Sequence, residues 1–203
     1  MRSLSYLLLI VACLFPQRPP TRKLFPIPED MEYEFRGVKL ADTEAKLLMK
    51  AFEADFANED GCDDNKLVSE REGMAGISLG KLGNGVVVKR NDVCLCGTGG
   101  CPLYVYVREK EGWRAVAKSF GWAFGIVPSK IEIPDMVFAS SGGGGLMSLV
   151  LQRYDGRQFV EHACETLTAK EGFPKSPDDW FDPEKVAVSA CKNLAPSSPG
   201  ARH

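Results

Sequence analysis

Between residues 76 and 166 the apolar side chains fall at alternate positions in short runs broken by glycine, asparagine and aspartate, the period of half-buried strands and not of helices. Residues 77–82 and 86–90 flank Gly83-Asn84-Gly85, and Asn-Gly between two apolar runs predicts a hairpin. Leu103-Tyr104-Val105-Tyr106-Val107 alternates, Glu111-Gly112 turns the chain, and residues 113–117 return it as a second hairpin. Residues 146–154, Asp155-Gly156 and residues 158–164 predict a third. Residues 122–127 and 136–139 supply further strands, and hairpins in series make an antiparallel meander.

The period changes on either side of this stretch. Ala45, Leu48, Ala51, Phe52 and Phe56 recur at the 3.6-residue spacing, with Asp42 placed to cap them, so residues 42–56 predict an amphipathic helix packed on the sheet. Downstream, Ser176-Pro177-Asp178-Asp179 and Asp182-Pro183-Glu184-Lys185 each set a capping residue before a proline. The second leads into residues 186–194 and predicts a short helix carrying Cys191. The fold class is therefore α+β: mainly an antiparallel meander of serial hairpins, with one packed N-terminal helix and a short C-terminal helix.

The first fifteen residues follow another logic. Arg2 precedes an apolar run at residues 6–15, the order of a basic region and a short hydrophobic region in a secretory signal. The run is too short for a membrane span, which takes about 20 apolar residues. Ile10-Val11-Ala12-Cys13 resembles a bacterial lipobox, which makes Cys13 a candidate for lipidation. Pro16, Pro19, Pro20, Pro26 and Pro28 exclude helix and favour an extended tether. The expected organisation is a leader at 1–15, a tether at 16–30, one globular body at 31–194 and a disordered tail at 195–203. An exported protein is expected, whether periplasmic, secreted or membrane-tethered, meeting the membrane only through the leader or a lipid on Cys13.

That compartment changes how the cysteines read. The chain has seven, and setting Cys13 aside leaves an even number: Cys62, Cys94, Cys96, Cys101, Cys164 and Cys191. In an oxidising compartment these form a disulfide framework, whose pairing the sequence leaves open. The expected pairs are Cys96 with Cys101, Cys62 with Cys94, and Cys164 with Cys191, the last worth about 3 kcal/mol in the loop-entropy model. The competing reading makes Cys94, Cys96 and Cys101, with His162 and Cys164, thiophilic metal ligands, since residues two apart on a strand share a face. Paired C-x2-C units, the usual zinc spacing, are missing.

Composition narrows the function further. The 203 residues are 44% hydrophobic and 26% charged, and 25 basic against 27 acidic residues give a formal net charge of -2. A surface built to neutralise phosphates would be more basic, so no nucleic-acid partner is expected. Only His162 and His203 can serve as imidazole bases, and no G-x-S-x-G elbow is present, Ser140-Ser141 preceding Gly142–Gly145 without the required glycine. Neither Gly97-Thr98-Gly99-Gly100 nor the other glycine clusters complete a phosphate loop, and they read as turns. The acidic stretch at residues 58–65 lacks the order of a calcium loop, and Asp63-Asp64 and Asp178-Asp179 sit in polar loops. No catalytic set and no cofactor motif emerges. Tyr104 and Tyr106 share a strand face, and with Trp113 and Trp122 they form a candidate surface patch for a partner or sugar unless a second sheet or the helix at residues 42–56 covers them.

Cys94-Leu95-Cys96-Gly97-Thr98-Gly99-Gly100-Cys101-Pro102 and its aromatic strand resemble a C-x-C-G-x-x-G-x-C-P segment of uncharacterised exported bacterial proteins, from which the chain departs by one residue in the glycine loop. Residues 135–140 and Tyr154-Asp155-Gly156 are similar to later strands of such proteins, so the resemblance spans residues 94–159. It implies export and disulfides, and no activity. The expected function is a non-catalytic, exported or envelope-tethered binding domain for an envelope protein or a glycan. The alternatives are a cell-envelope enzyme using His162 and a cysteine-ligated metal-binding protein.

Overall fold

The structure, a computed structural model, describes residues 31–32, 35, 38–56, 73–90, 96–129, 132–172, 174, 176, 178–182 and 184–191. Helix α1, Asp42–Phe56, opens with Asp42 and Glu44 in its first turn, where carboxylates complement the positive end of the helix dipole. Leu48 and Phe52, one turn apart, are its buried face. They lie on Met74, Val86, Val88, Tyr104 and Tyr106 of a four-stranded antiparallel sheet. Its strands are β1 (Met74–Ser78), β2 (Asn84–Lys89), β3 (Cys101–Glu109) and β4 (Gly112–Gly121), in that spatial order. A five-stranded antiparallel sheet follows: β5 (Ala123–Val127), β6 (Asp135–Gly143), β7 (Leu146–Tyr154), β8 (Phe159–Ala169) and β9 (Val186–Ala190).

Both sheets are meanders, because each connection joins neighbours. Only Trp122 separates β4 from β5, so the chain steps from the edge of one sheet to the edge of the other at that residue. Alternation along β3 sends Leu103, Val105 and Val107 one way and Tyr104 and Tyr106 the other. The first set meets Phe124, Met136, Phe138 and Phe159 in the core between the sheets. The outward face of the second sheet, with Val137, Ala139, Leu149 and Leu167, is buried with Met31, Trp180 and Val186. The layers are thus helix, sheet, sheet and a last apolar layer that includes Trp180.

Among the described residues two disulfides staple this arrangement. Cys96–Cys101 closes a small loop in which Gly97 and Gly100 exchange backbone hydrogen bonds of 2.9 and 3.0 Å. Gly99 carbonyl accepts from Ser141 N–H at 3.1 Å, which docks the loop on β6. Gly100 has φ 127° and lies against the Gly121 backbone, so a side chain there would be strained and would collide. Cys164–Cys191 ties β8 to the end of β9, across a separation of 27 residues. Cys13, Cys62 and Cys94 lie outside the described residues, and with them the expected Cys62–Cys94 pair, the leader and the acidic stretch at residues 58–65.

The α+β class and the hairpins match expectation, and two local readings need correction. The first hairpin does not turn at Asn84-Gly85: Gly80–Leu82 forms a 3-10 turn, and Asn84 opens β2 opposite Ser78. The short C-terminal helix is absent at residues 186–190, where the chain forms β9. Val186 and Val188 are β-branched and alternate with Ala187 and Ser189, so once the free edge of β8 is beside them the strand is the better use of their backbone groups. The first cap-then-proline signal gives only a 3-10 turn, Asp178–Phe181.

Candidate functional site

The expected aromatic patch is not on the surface. Tyr104 and Tyr106 are 3% and 0% exposed beneath α1, with the Phe52 ring edge-on to Tyr104 at 5.7 Å. The helix that was one of the two expected covers is the one that lies there. Trp113, half-buried, joins this cluster, whereas Trp122 packs on the far face of the second sheet, so the four residues do not share one surface. Tyr106 hydroxyl donates to Asp55 Oδ2 at 2.8 Å. Burial, then the Asp55 hydrogen bond and charge, hold the Tyr106 hydroxyl well above its usual range. Burial pushes Tyr104 up to about 12, with Asp55 adding to the rise and Arg90 opposing it. Both phenols are therefore neutral donors.

Beside this layer a cleft of about 420 Å³ opens between the end of α1, β4 and the β7–β8 hairpin. Residues beside two strand irregularities line it. In β4 the register steps from Ala117 opposite Val105 to Ala115 opposite Tyr106, which leaves Val116 as an extra residue. Neighbours Val116 and Ala117 consequently both reach the core between the sheets, which a regular strand forbids. In β8 the pairs Gln152–Glu161 and Leu151–Ala163 leave His162 as the extra residue. A bulge locally bends its strand and increases its twist.

The floor of the cleft includes Gln152, Phe159 and Val116, and its rim carries Asp55, Lys118 and Glu161. Gln152 is 2% exposed, and its Nε2 donates to the Lys118 carbonyl at 3.0 Å. A carbonyl only accepts, so this bond fixes which end of the carboxamide is nitrogen. Oε1 of Gln152 is then a buried acceptor that receives no hydrogen bond among the described residues. Such an atom costs about 1–3 kcal/mol relative to a satisfied one. Lys118 Nζ lies 5.3 Å from the centre of the Tyr104 ring, directly across the β3–β4 pair.

The residues singled out for chemistry are distributed differently. His162, exposed on its bulge, meets Arg153 Nη1 at 2.9 Å through Nε2. Arg153 is itself held by Asp135, a buried carboxylate, through contacts of 2.8 to 3.2 Å. Because an arginine N–H can only donate, His162 Nε2 is the acceptor in this contact. An imidazole flanked by a guanidinium lacks the carboxylate that orients a catalytic base, and His162 is not on the cleft wall. Of the candidate metal ligands, Cys96, Cys101 and Cys164 are committed to disulfides, which removes their thiolates. Among the described residues no three of histidine, cysteine, aspartate and glutamate gather as a metal site. Gln152, Lys118, Asp55 and Glu161 were not anticipated from the sequence. A weak signal was present for Gln152, an amide on the strand face shared by Val150 and Tyr154.

Known protein families, curated proteins and solved structures provide no match to this chain.

Proposed function

We propose that the protein is a non-catalytic, exported binding domain and that the cleft beside Gln152 is its ligand site. The observation that carries this reading is an open cleft of about 420 Å³ walled by apolar side chains together with the polar Gln152, Lys118, Asp55 and Glu161. The volume falls in the ~300–1,000 Å³ range of small-molecule sites. Support for export comes from the leader pattern and from two disulfides, bonds that persist in oxidising compartments. No described helix is long and apolar enough to cross a membrane.

Calorimetric titration of the oxidised chain against polar small molecules tests the reading, with Val160→Trp as a variant that fills the cleft from its rim. Heat of binding in the parent, lost in Val160→Trp and retained in His162→Ala with the ligand recovered unchanged, is the expected result. Ligand turnover that disappears in His162→Ala would instead establish the enzyme alternative.

A further inference from the structure

A sheet edge carries a row of unpaired backbone groups, and among the described residues three of the four edges are managed. Glu32 pairs with Phe124 along β5 through backbone hydrogen bonds of 2.8 and 3.3 Å. β4 carries its bulge together with Arg114 and Lys118. Phe35 packs on the face of β1 that looks into the core between the sheets and Val38 on the face under α1, so the chain crosses beside β1. The fourth edge, β9, has no such device: Val186-Ala187-Val188-Ser189-Ala190 includes no charge and no proline, and its pairing with β8 is regular. Cys191 N–H donates to the Cys164 carbonyl at 3.2 Å and Lys170 N–H to the Lys185 carbonyl at 2.9 Å. Hydrogen-bonded and non-hydrogen-bonded pairs alternate in an antiparallel ladder, so Ala187 and Ser189 turn their backbone groups to β8, and Val188 and Ala190 turn theirs outward. Among the described residues neither outward residue has a backbone partner on that side. At Val186 the outward N–H is taken by the Asp182 carbonyl at 3.1 Å, which closes the edge there.

We propose that β9 pairs with β9 of a second copy of this chain, antiparallel about a two-fold axis at Ser189. In that register Val188 of each copy faces Ala190 of the other, and each such pair exchanges N–H···O bonds in both directions, using all the outward groups of both residues. The edge is complementary to itself: Val188 meets Ala190, Ser189 meets its own copy, and no charge opposes a like charge. Val188 packs on the apolar layer that includes Trp180 and Val186, and the pairing extends that layer across the axis. Opposite charges meet at the ends of the pairing. The sequence continues from Cys191 with Lys192, and the register carries that position of one copy past Val186 of the other, to the turn that bears Asp182. The chain's own remaining segments suit the edge less well. Residues 1–30 and 192–203 are interrupted by prolines, which have no N–H to donate, and residues 57–72 join α1 to β1 at the first sheet.

The test is sedimentation of the full disulfide-intact chain from micromolar to millimolar loading. The parent associates to a dimer as its concentration rises. Ser189→Lys sets two like charges at the axis and weakens association about fivefold or more. Ala190→Pro removes an outward N–H from each copy and abolishes the dimer. Ser189 is exposed and the Ala190 N–H takes no part in the pairing with β8, so both variants keep the parent's circular dichroism; Ser189→Lys carries the test by itself if the proline variant unfolds. The two copies of residue 189 form a non-hydrogen-bonded pair with Cα atoms about 4.5 Å apart, within disulfide reach. Ser189→Cys, treated with oxidised glutathione, therefore gives a covalent dimer whose peptide map joins residue 189 to residue 189. A parent that stays monomeric throughout and a Ser189→Cys variant that yields no such cross-link overturn the proposal. A dimer that Ser189→Lys leaves unchanged places the interface elsewhere and overturns it equally. Neither result bears on the cleft, whose lining includes no residue of β9.

Discussion

Two buried polar groups lie within one layer of each other and behave in opposite ways. Tyr106 hydroxyl, at the bottom of the layer between α1 and the first sheet, is matched by Asp55 at the helix end. Gln152, in the layer between the sheets, is matched only at its nitrogen end. The first is what a finished interface looks like: the desolvation of a phenol is offset by a partner supplied by the element that covers it. The second is incomplete in the same physical sense, and it stands at the cleft. The comparison separates a polar group satisfied by the element that covers it from one satisfied at a single end.

The largest expected effect strikes the finished layer. Phe52→Ala removes a ring that packs on Tyr104 and Tyr106 and lowers unfolding free energy in urea by about 3–5 kcal/mol. A loss under about 1 kcal/mol would show that α1 is not an integral wall. Next, Cys191→Ser removes the covalent tie between β8 and the end of β9 and costs about 3 kcal/mol, more than Cys101→Ser, because the Cys164–Cys191 loop is the longer one. Equal losses would break that ordering. Tyr106→Phe costs about 1 kcal/mol by removing a hydrogen bond to a carboxylate, whereas Gln152→Met costs less, since deleting the unsatisfied oxygen offsets the loss of the donor to the Lys118 carbonyl. A destabilised Gln152→Met comparable to Tyr106→Phe would erase the difference between the two groups.

The smallest effects are those of pH, and their signs differ. Tyr104 and Tyr106 hold their protons more tightly folded than unfolded, so their contribution is complete below about pH 10 and is lost as pH rises towards the Tyr104 value of about 12. Alkaline unfolding that is postponed in Tyr106→Phe relative to its own neutral-pH stability checks this. Glu44 behaves in the reverse sense. Arg108, through a two-pronged contact of 2.6 and 3.0 Å, holds its carboxyl below the ordinary 4.5. That contribution is present above pH 4.5 and disappears as pH falls through the lower folded value. The pair is exposed, so Glu44→Gln flattens the acid limb only slightly.

Much of the architecture was legible along the chain because it depends on near neighbours. The alternation through residues 103–107 requires one face to be buried on each side, and the stripe of Leu48 and Phe52 supplies the cover for one of them. The C-terminal reading failed for a nonlocal reason: a capping aspartate before proline is a local helix signal, while the unpaired edge of β8 and the bond to Cys164 are contributions from far along the sequence. The cleft was hidden for the same reason. It is lined from β4 and β8 beside their irregular pairings, and a bulge leaves almost no mark in a sequence until the partner strand is known.

What the sequence by itself determined is the set of elements with local causes: strand period, helix stripe, turn residues, the supply of cysteines and the scarcity of histidine. The tertiary structure decided which faces are wet and which polar atoms are left over. Tyr104 and Tyr106 read as a surface pair until α1 lies on them, and Gln152 reads as one amide among many until its nitrogen finds the Lys118 carbonyl and its oxygen finds nothing. Periodicity is a property of bonded neighbours, whereas the satisfaction of a hydrogen bond is a property of whatever the fold brings to within 3 Å or so of it.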